Sequence, residues 1–191
     1  MEYEFVAISE DQMPQAADPA YQHLVDTYVS EANKVVSIWR EVTDDLLDYS
    51  PHEKSNYIRT IMTHPFLSER RFFAQFVGTE EPEVDHLLPE NKSPKVQDYI
   101  DKYLEQVRLR LPPLACADQA WWLSEMPFFD MTRQRIWIFW RRVLHTAHHR
   151  TQVQIYLWLS GQKVLTTYGP SGDVTWDGAD PTTSKEAADR P

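Results

Sequence analysis

Apolar residues recur at intervals of three, four and seven along much of the chain, the period of helices with one buried face. Leu24, Tyr28, Val35, Ile38, Val42 and Leu46 keep that spacing and predict a first helix over residues 19–48. Its start is marked by Asp18-Pro19, an N-cap side chain followed by a proline whose missing N–H costs nothing at the first helical position. The same punctuation occurs at Ser50-Pro51 and Ser93-Pro94. At Ser50, Glu53 completes a Ser-x-x-Glu capping box, so a second helix is predicted from about residue 51 towards Phe76, with Gly78 as its terminator. A third covers 94–111 through Val96, Ile100, Tyr103, Leu104 and Val107, until Pro112-Pro113 forbids continuation. A fourth is predicted from near Asp130 or Thr132 to Gly161. Ile136, Trp137, Trp140, Val143, Leu144, Ala147 and Ile155 cover most of its circumference, so it is expected to be largely buried. The pattern is all-α.

The connections over 78–92 and 112–131 are too long for links between adjacent antiparallel helices, so at least one crossover is expected. The second holds Trp121, Trp122, Met126, Phe128 and Phe129, which are expected to pack over one end of the helices, since together they would otherwise form a sticky patch. Residues 1–160 therefore read as one helical domain. Residues 161–191, rich in Gly, Pro, Asp, Thr and Ser, read as an extended C-terminal strap with Tyr168 and Trp176 as anchors.

Composition narrows the partners. The 191 residues carry 19 Lys and Arg against 29 Asp and Glu, a net charge of −10 that repels phosphate backbones and argues against nucleic acid. The one cysteine, Cys116, excludes an intramolecular disulfide and any Cys-rich zinc module. No stretch approaches the roughly 20 apolar residues needed to span a bilayer, and the first residues are acidic with no apolar targeting core. A cytoplasmic protein with no membrane partner is the expectation.

Candidate chemistry lies in the histidines. Three of the seven, His145, His148 and His149, fall within five residues of the fourth helix. At 100° per residue, His149, Gln152 and Tyr156 lie at about +40°, −20° and +20° from His145, one stripe on one face. An i, i+4 histidine pair can offer two imidazole nitrogens to a metal ion, but two ligands are not a site. His64, inside the second helix between Met62 and Phe66, is the best third candidate; its alternative is a core histidine satisfied by a carbonyl. Glu69, five residues on, is a candidate partner for a ligand or for Arg70 or Arg71. His52, His86 and His23 read as solvated or undecided. The only Glu-x-x-His, Glu83 to His86, sits in a loop, which excludes a carboxylate-bridged di-iron bundle. There is no His-Glu-x-x-His, Gly-rich phosphate loop or Gly-x-Ser-x-Gly.

The segment Leu144-His145-Thr146-Ala147-His148-His149-Arg150-Thr151-Gln152 resembles the His-x-x-His-His-Arg-Gly-Gln stretch of the DinB/YfiT-like family. Thr63-His64-Pro65-Phe66-Leu67-Ser68-Glu69-Arg70-Arg71-Phe72-Phe73 is similar to that family's second-helix pattern, and Thr167 to Trp176 to a tail found in one of its branches. The resemblance implies a four-helix bundle with up-down-down-up connectivity and often a homodimer. It also implies a divalent metal, zinc or nickel before manganese or iron, held by His64, His145 and His149. Members with assigned activities mostly use low-molecular-weight thiols such as bacillithiol, mycothiol or glutathione in transferase or isomerase reactions. The expected function is therefore a metal-dependent enzyme activating a thiol or water against a small-molecule substrate, with Gln152, Tyr156 and Glu69 as supporting or substrate-binding residues. A stress-associated binding module with a structural or vestigial metal is the alternative. Two departures from the family pattern bear on the site. Thr151 stands where glycine is usual, and Pro65 removes a helix hydrogen bond beside His64, so the helix is expected to kink there or to break before it.

Overall fold

The computed structural model describes residues 6–78, 83–165, 167 and 168; the side chains of Glu69, Arg71, Phe72 and Gln75 are outside that set. Four long helices, α1 (Gln22–Trp39), α2 (Ile58–Val77), α4 (Val96–Ala115) and α6 (Arg135–Leu159), carry the fold. Two short ones, α3 (Val84–Leu87) and α5 (Gln119–Leu123), lie in the connections. A two-stranded antiparallel hairpin pairs β1 (Glu125–Phe128) with β2 (Met131–Gln134) just before α6. The long helices pack α1 on α4 and α6, and α2 on α4 and α6. Trp39 meets Tyr103 at 5.1 Å and Phe66 at 6.1 Å, Tyr28 meets Phe139 at 6.3 Å, and Arg110 lies over Phe73. Among the described residues no helix is long and apolar enough to cross a membrane.

Several boundaries differ from the sequence prediction, each for a local reason. Asp18 accepts from the Ala20 N–H as expected, but Pro19–Tyr21 form a 3-10 turn leading into α1. α1 stops at Trp39, and Asp44–Asp48 form a separate 3-10 helix that still buries Leu47. Its near-threefold repeat mimics a continuing α pattern over a short span. The Ser50 capping box does not form, because the Ser50 hydroxyl donates to the His52 and Ser55 carbonyls. Residues 52–56 contain nothing apolar to bury, so α2 waits until Ile58, which is fully buried. Gly78 does end it, in the left-handed region at φ +86, its N–H donating to Ala74 O.

Three prolines also sit inside helices. α4 runs through Pro112 and Pro113 to Ala115, where they cost only hydrogen bonds near the last turn, and Pro112 O still accepts from the Cys116 N–H. α2 runs unbroken through Pro65, so His64 keeps its helical register.

The connection over 112–131 packs as expected except at its tip. Trp122 is fully buried against Phe139 and Phe76, and Met126 and Phe128 are buried, but Phe129 at the hairpin turn is 82% exposed. The fourth long helix starts at Arg135, since residues 125–134 pair as strands. It is also less buried than predicted: Trp137, Trp140, Leu144, Ile155, Trp158 and Leu159 are all exposed. Of the expected strap, Gly161–Leu165, Thr167 and Tyr168 are described; Trp176 and the rest lie outside the described residues.

Candidate metal centre

α2 and α6 lie side by side with Phe76 near Arg135, Ser68 near Arg142 and His64 near His145, so the pairing of these helices fixes which residues meet. His64 Nε2 lies 3.3 Å from His145 Nε2, which lies 3.2 Å from His149 Nε2. The rings of His64 and His149 stand 4.4 Å apart between centroids. One ring nitrogen from each of the three falls within 4.8 Å of the others, a group able to hold a metal ion. Helical spacing explains the α6 pair, since residues four apart share a face.

The protonation chemistry is that of ligands. Burial, followed by the Arg142 charge, pushes His145 down to about 3, and the neighbouring histidines add to the effect. Burial also lowers His149, against a hydrogen bond to Gln152 that raises it. His149 Nδ1 lies 2.7 Å from Gln152 Oε1. The amide oxygen only accepts, so this contact places the His149 proton on Nδ1 and leaves the Nε2 lone pair facing the other rings. Three imidazole edges meeting with no carboxylate in the group cannot share protons satisfactorily, whereas one cation satisfies all three. The donor set therefore fits a divalent ion, with neutral nitrogens suited to zinc, nickel, copper or iron.

Of the residues named from sequence as supporting or substrate-binding, Gln152 reaches the group, where it contacts the His149 ring. Tyr156 is turned to Tyr49, edge-on at 6.2 Å. The Glu69 side chain lies outside the described residues. Thr151 folds back onto its own helix, Oγ1 donating to Ala147 O, and so leaves the histidines clear. His148 is exposed, the His23 ring nitrogen lies 3.0 Å from Ala20 O, and His52 Nδ1 accepts from the Lys54 N–H.

Sequence reasoning missed two neighbours. Arg142, buried, donates to Ser68 Oγ at 2.9 Å, one turn from His145 and one turn from His64. Arg150, 1% exposed, donates to Glu31 on α1 at 2.8 Å. Glu31 also meets Lys34 at 3.3 Å and accepts from the Tyr168 hydroxyl at 2.6 Å. Arg150 follows His149 directly, so this buried network ties the ligand-bearing helix to α1. The only available signal was an arginine on the inner face of an amphipathic helix.

A sequence model of the DinB family matches residues 13–177, nearly the whole chain and past the expected end of the helical domain. The chain belongs to the DinB family. Among solved structures, this DinB family member is similar to a DinB-like protein from Bacillus cereus ATCC 10987, with 16% identity and a TM-score of 0.63 over 76% of this chain and 95% of that one. It is also similar to the DinB-like protein YjoA from Bacillus subtilis, with 15% identity and a TM-score of 0.61 over 76% of this chain and 97% of that one. At these identities the likeness speaks for the fold. No curated protein matches the chain.

One prediction concerns the brace. Gln152→Ala frees the His149 ring to turn, and outer partners of this kind are worth roughly 10–100-fold in metal affinity. A competition titration against a chromophoric chelator is expected to show that loss, with the circular dichroism of the helices unchanged. An unaltered affinity would mean that the Gln152 contact does not orient the ring.

A second prediction follows from the lowered histidines. Between an unfolded value of about 6.5 and the folded value, the unfolded chain binds protons that the folded chain refuses, so stability falls as pH drops. For His145 that window runs from about 6.5 down to about 3. Metal-free protein is expected to melt progressively lower from pH 7 to pH 4, with a shallower slope in His145→Gln. Equal slopes would contradict the burial argument.

Proposed function

We propose that His64, His145 and His149 hold a divalent metal ion, zinc or nickel before manganese or iron, and that the protein is a metal-dependent enzyme acting on a small-molecule substrate. The observation that carries this is the meeting of three Nε2 atoms at 3.2 and 3.3 Å steps, two of them on rings held neutral by burial. A bound ion with three protein ligands keeps an open position and lowers the pKa of a thiol or water placed there. In this reading the nucleophile is a low-molecular-weight thiol, in an S-transferase or isomerase reaction, with water as the second choice. Gln152 holds the His149 ring in place. Arg142, one turn from His145, would add positive charge near a bound ion and favour anionic ligands on it.

We further read the chain as an up-down-down-up four-helix bundle. Supporting this, α6 residues climb as α2 residues descend, from His145 beside His64 to Arg135 beside Phe76. Trp39 near Tyr103 and Ala17 near Ala115 likewise set α4 against α1.

The test uses cobalt as a visible reporter. Cobalt-loaded protein titrated with glutathione, bacillithiol or mycothiol is expected to gain a sulfur-to-cobalt charge-transfer band that the matching alcohol does not produce. If no thiol or small anion perturbs the spectrum while metal strongly raises the melting temperature, the site is structural and the protein is a binding module.

A further inference from the structure

The exposed apolar residues of α6 are not scattered. At 100° per residue, Trp137, Trp140, Leu144, Ile155 and Leu159 lie within about 50° of one line along the helix. Leu144 is 63% and Leu159 60% exposed. Residues 131–163, which carry this face, contain no Asp or Glu in a chain of net charge −10. The described end of the chain comes up beside it from the α1 side. Gln154 Nε2 donates to Leu165 O at 3.2 Å, and three residues later the Tyr168 ring lies 4.8 Å from the Arg150 guanidinium, its hydroxyl on Glu31. From Leu165 to Tyr168 the chain therefore runs back along α6, from the level of residue 154 to that of residue 150, towards the start of the helix. Gln154 is only about 40° around α6 from Trp140, so this course follows the edge of the apolar face.

We propose that residues 169–177 of the same chain continue on this course and cover the Trp137 and Trp140 end of the face, with Trp176 as the anchor. The reach suffices. Trp140 lies about 15 Å and Trp137 about 20 Å along the helix from Arg150. The eight residues from Tyr168 to Trp176 extend to at most about 26 Å, which leaves length for a bend at Gly169-Pro170. The charges agree as well. Asp173 and Asp177 stand to either side of Val174 and Trp176, and residues 169–191 carry five Asp and Glu against two Lys and Arg. The apolar face supplies the opposite sign through exposed Arg141 and through Arg133, whose guanidinium lies 5.4 Å from the Trp137 ring. On the α1 side of the same groove the exposed residues are His23 and Asp26, which offer Trp176 no apolar seat and set Asp26 against Asp173. The inference concerns how the chain end lies on α6, and it stands apart from the metal reading.

The test is disulfide trapping in the full chain with Cys116→Ser as background. Val174→Cys is combined in turn with Leu144→Cys on the face, Asp26→Cys on α1 and Leu109→Cys on α4, all three at exposed positions. Under mild oxidation the Leu144→Cys pair is expected to close within one chain roughly tenfold faster than either of the others, because docking raises the effective concentration of its two thiols. Adding Trp176→Ala to that pair is expected to bring its rate down to that of the Leu109→Cys pair, with unchanged helical circular dichroism. Equal rates in the three pairs, or fastest closure with Asp26→Cys, would overturn the proposal. A mixture of chains carrying Val174→Cys alone and Leu144→Cys alone is expected to crosslink slowly. Crosslinking between those chains as fast as within the double variant would place the segment on another molecule and overturn the proposal as well. A rate that Trp176→Ala leaves unchanged would overturn Trp176 as the anchor.

Discussion

Glu31→Ala is expected to lower stability by about 3–5 kcal/mol. Glu31 is 7% exposed and receives Arg150, Lys34 and the Tyr168 hydroxyl at one carboxylate. Removing it leaves the Arg150 guanidinium, 1% exposed, without its carboxylate partner. The cost is therefore dominated by a stranded buried charge, and a surface ion pair such as Arg59–Asp48 offers a contrast, its loss costing at most about 1 kcal/mol. For a chain of this size the loss corresponds to roughly 10 °C in melting temperature. Thermal and urea unfolding of Glu31→Ala, Asp48→Ala and the double variant Glu31→Leu, Arg150→Met test the account. The double variant is expected to recover much of the loss, because it removes both charges together. A Glu31→Ala change no larger than that of Asp48→Ala would show that the network adds nothing beyond a surface pair.

The second large effect is chemical. His145→Ala removes the central member of the three, the ring whose Nε2 approaches both of the others. With three ligands sharing the binding energy, loss of one is expected to weaken the metal by roughly 100–1000-fold. The same substitution relieves the crowding of like nitrogens in metal-free protein, so its effect on the metal-free melting temperature is expected to be small. Addition of zinc, which stabilises the unaltered protein by binding only the folded state, is expected to leave the variant's melting curve where it was. A zinc-dependent rise of equal size in both proteins would place the metal elsewhere.

The parts of this architecture legible in the sequence are those written in short-range periodicity. His145, His149 and Gln152 share a helix face by spacing alone, and the chain folds them that way. His64 was legible as a polar residue in an apolar stretch, and its arrival depended on α2 tolerating Pro65, which the neighbouring helices allow by packing on both sides of it. What local rules mispredicted were boundaries where two signals competed. Ser50-Pro51 has the chemistry of a helix start, but the five residues after His52's proline neighbour offer no apolar face, and tertiary burial begins only at Ile58. Pro112-Pro113 should stop a helix, yet near the last turn they cost little. The β hairpin was hidden because four-residue strands hold too few positions to show alternation. The Glu31–Arg150 pair, separated by 119 positions, has no local trace at all. The exposure of α6 was misread for a different reason: apolar residues around a helix do not state which of its faces the other helices of the chain cover.

The most direct test of the central claim is elemental analysis of protein purified without a histidine tag. The account predicts near-stoichiometric zinc, nickel, manganese or iron in the unaltered chain, lost in His64→Ala, His145→Ala and His149→Ala and kept in His148→Ala, whose side chain is exposed beside the group. No bound metal and none taken up on reconstitution, or equal loss in His148→Ala, would contradict it.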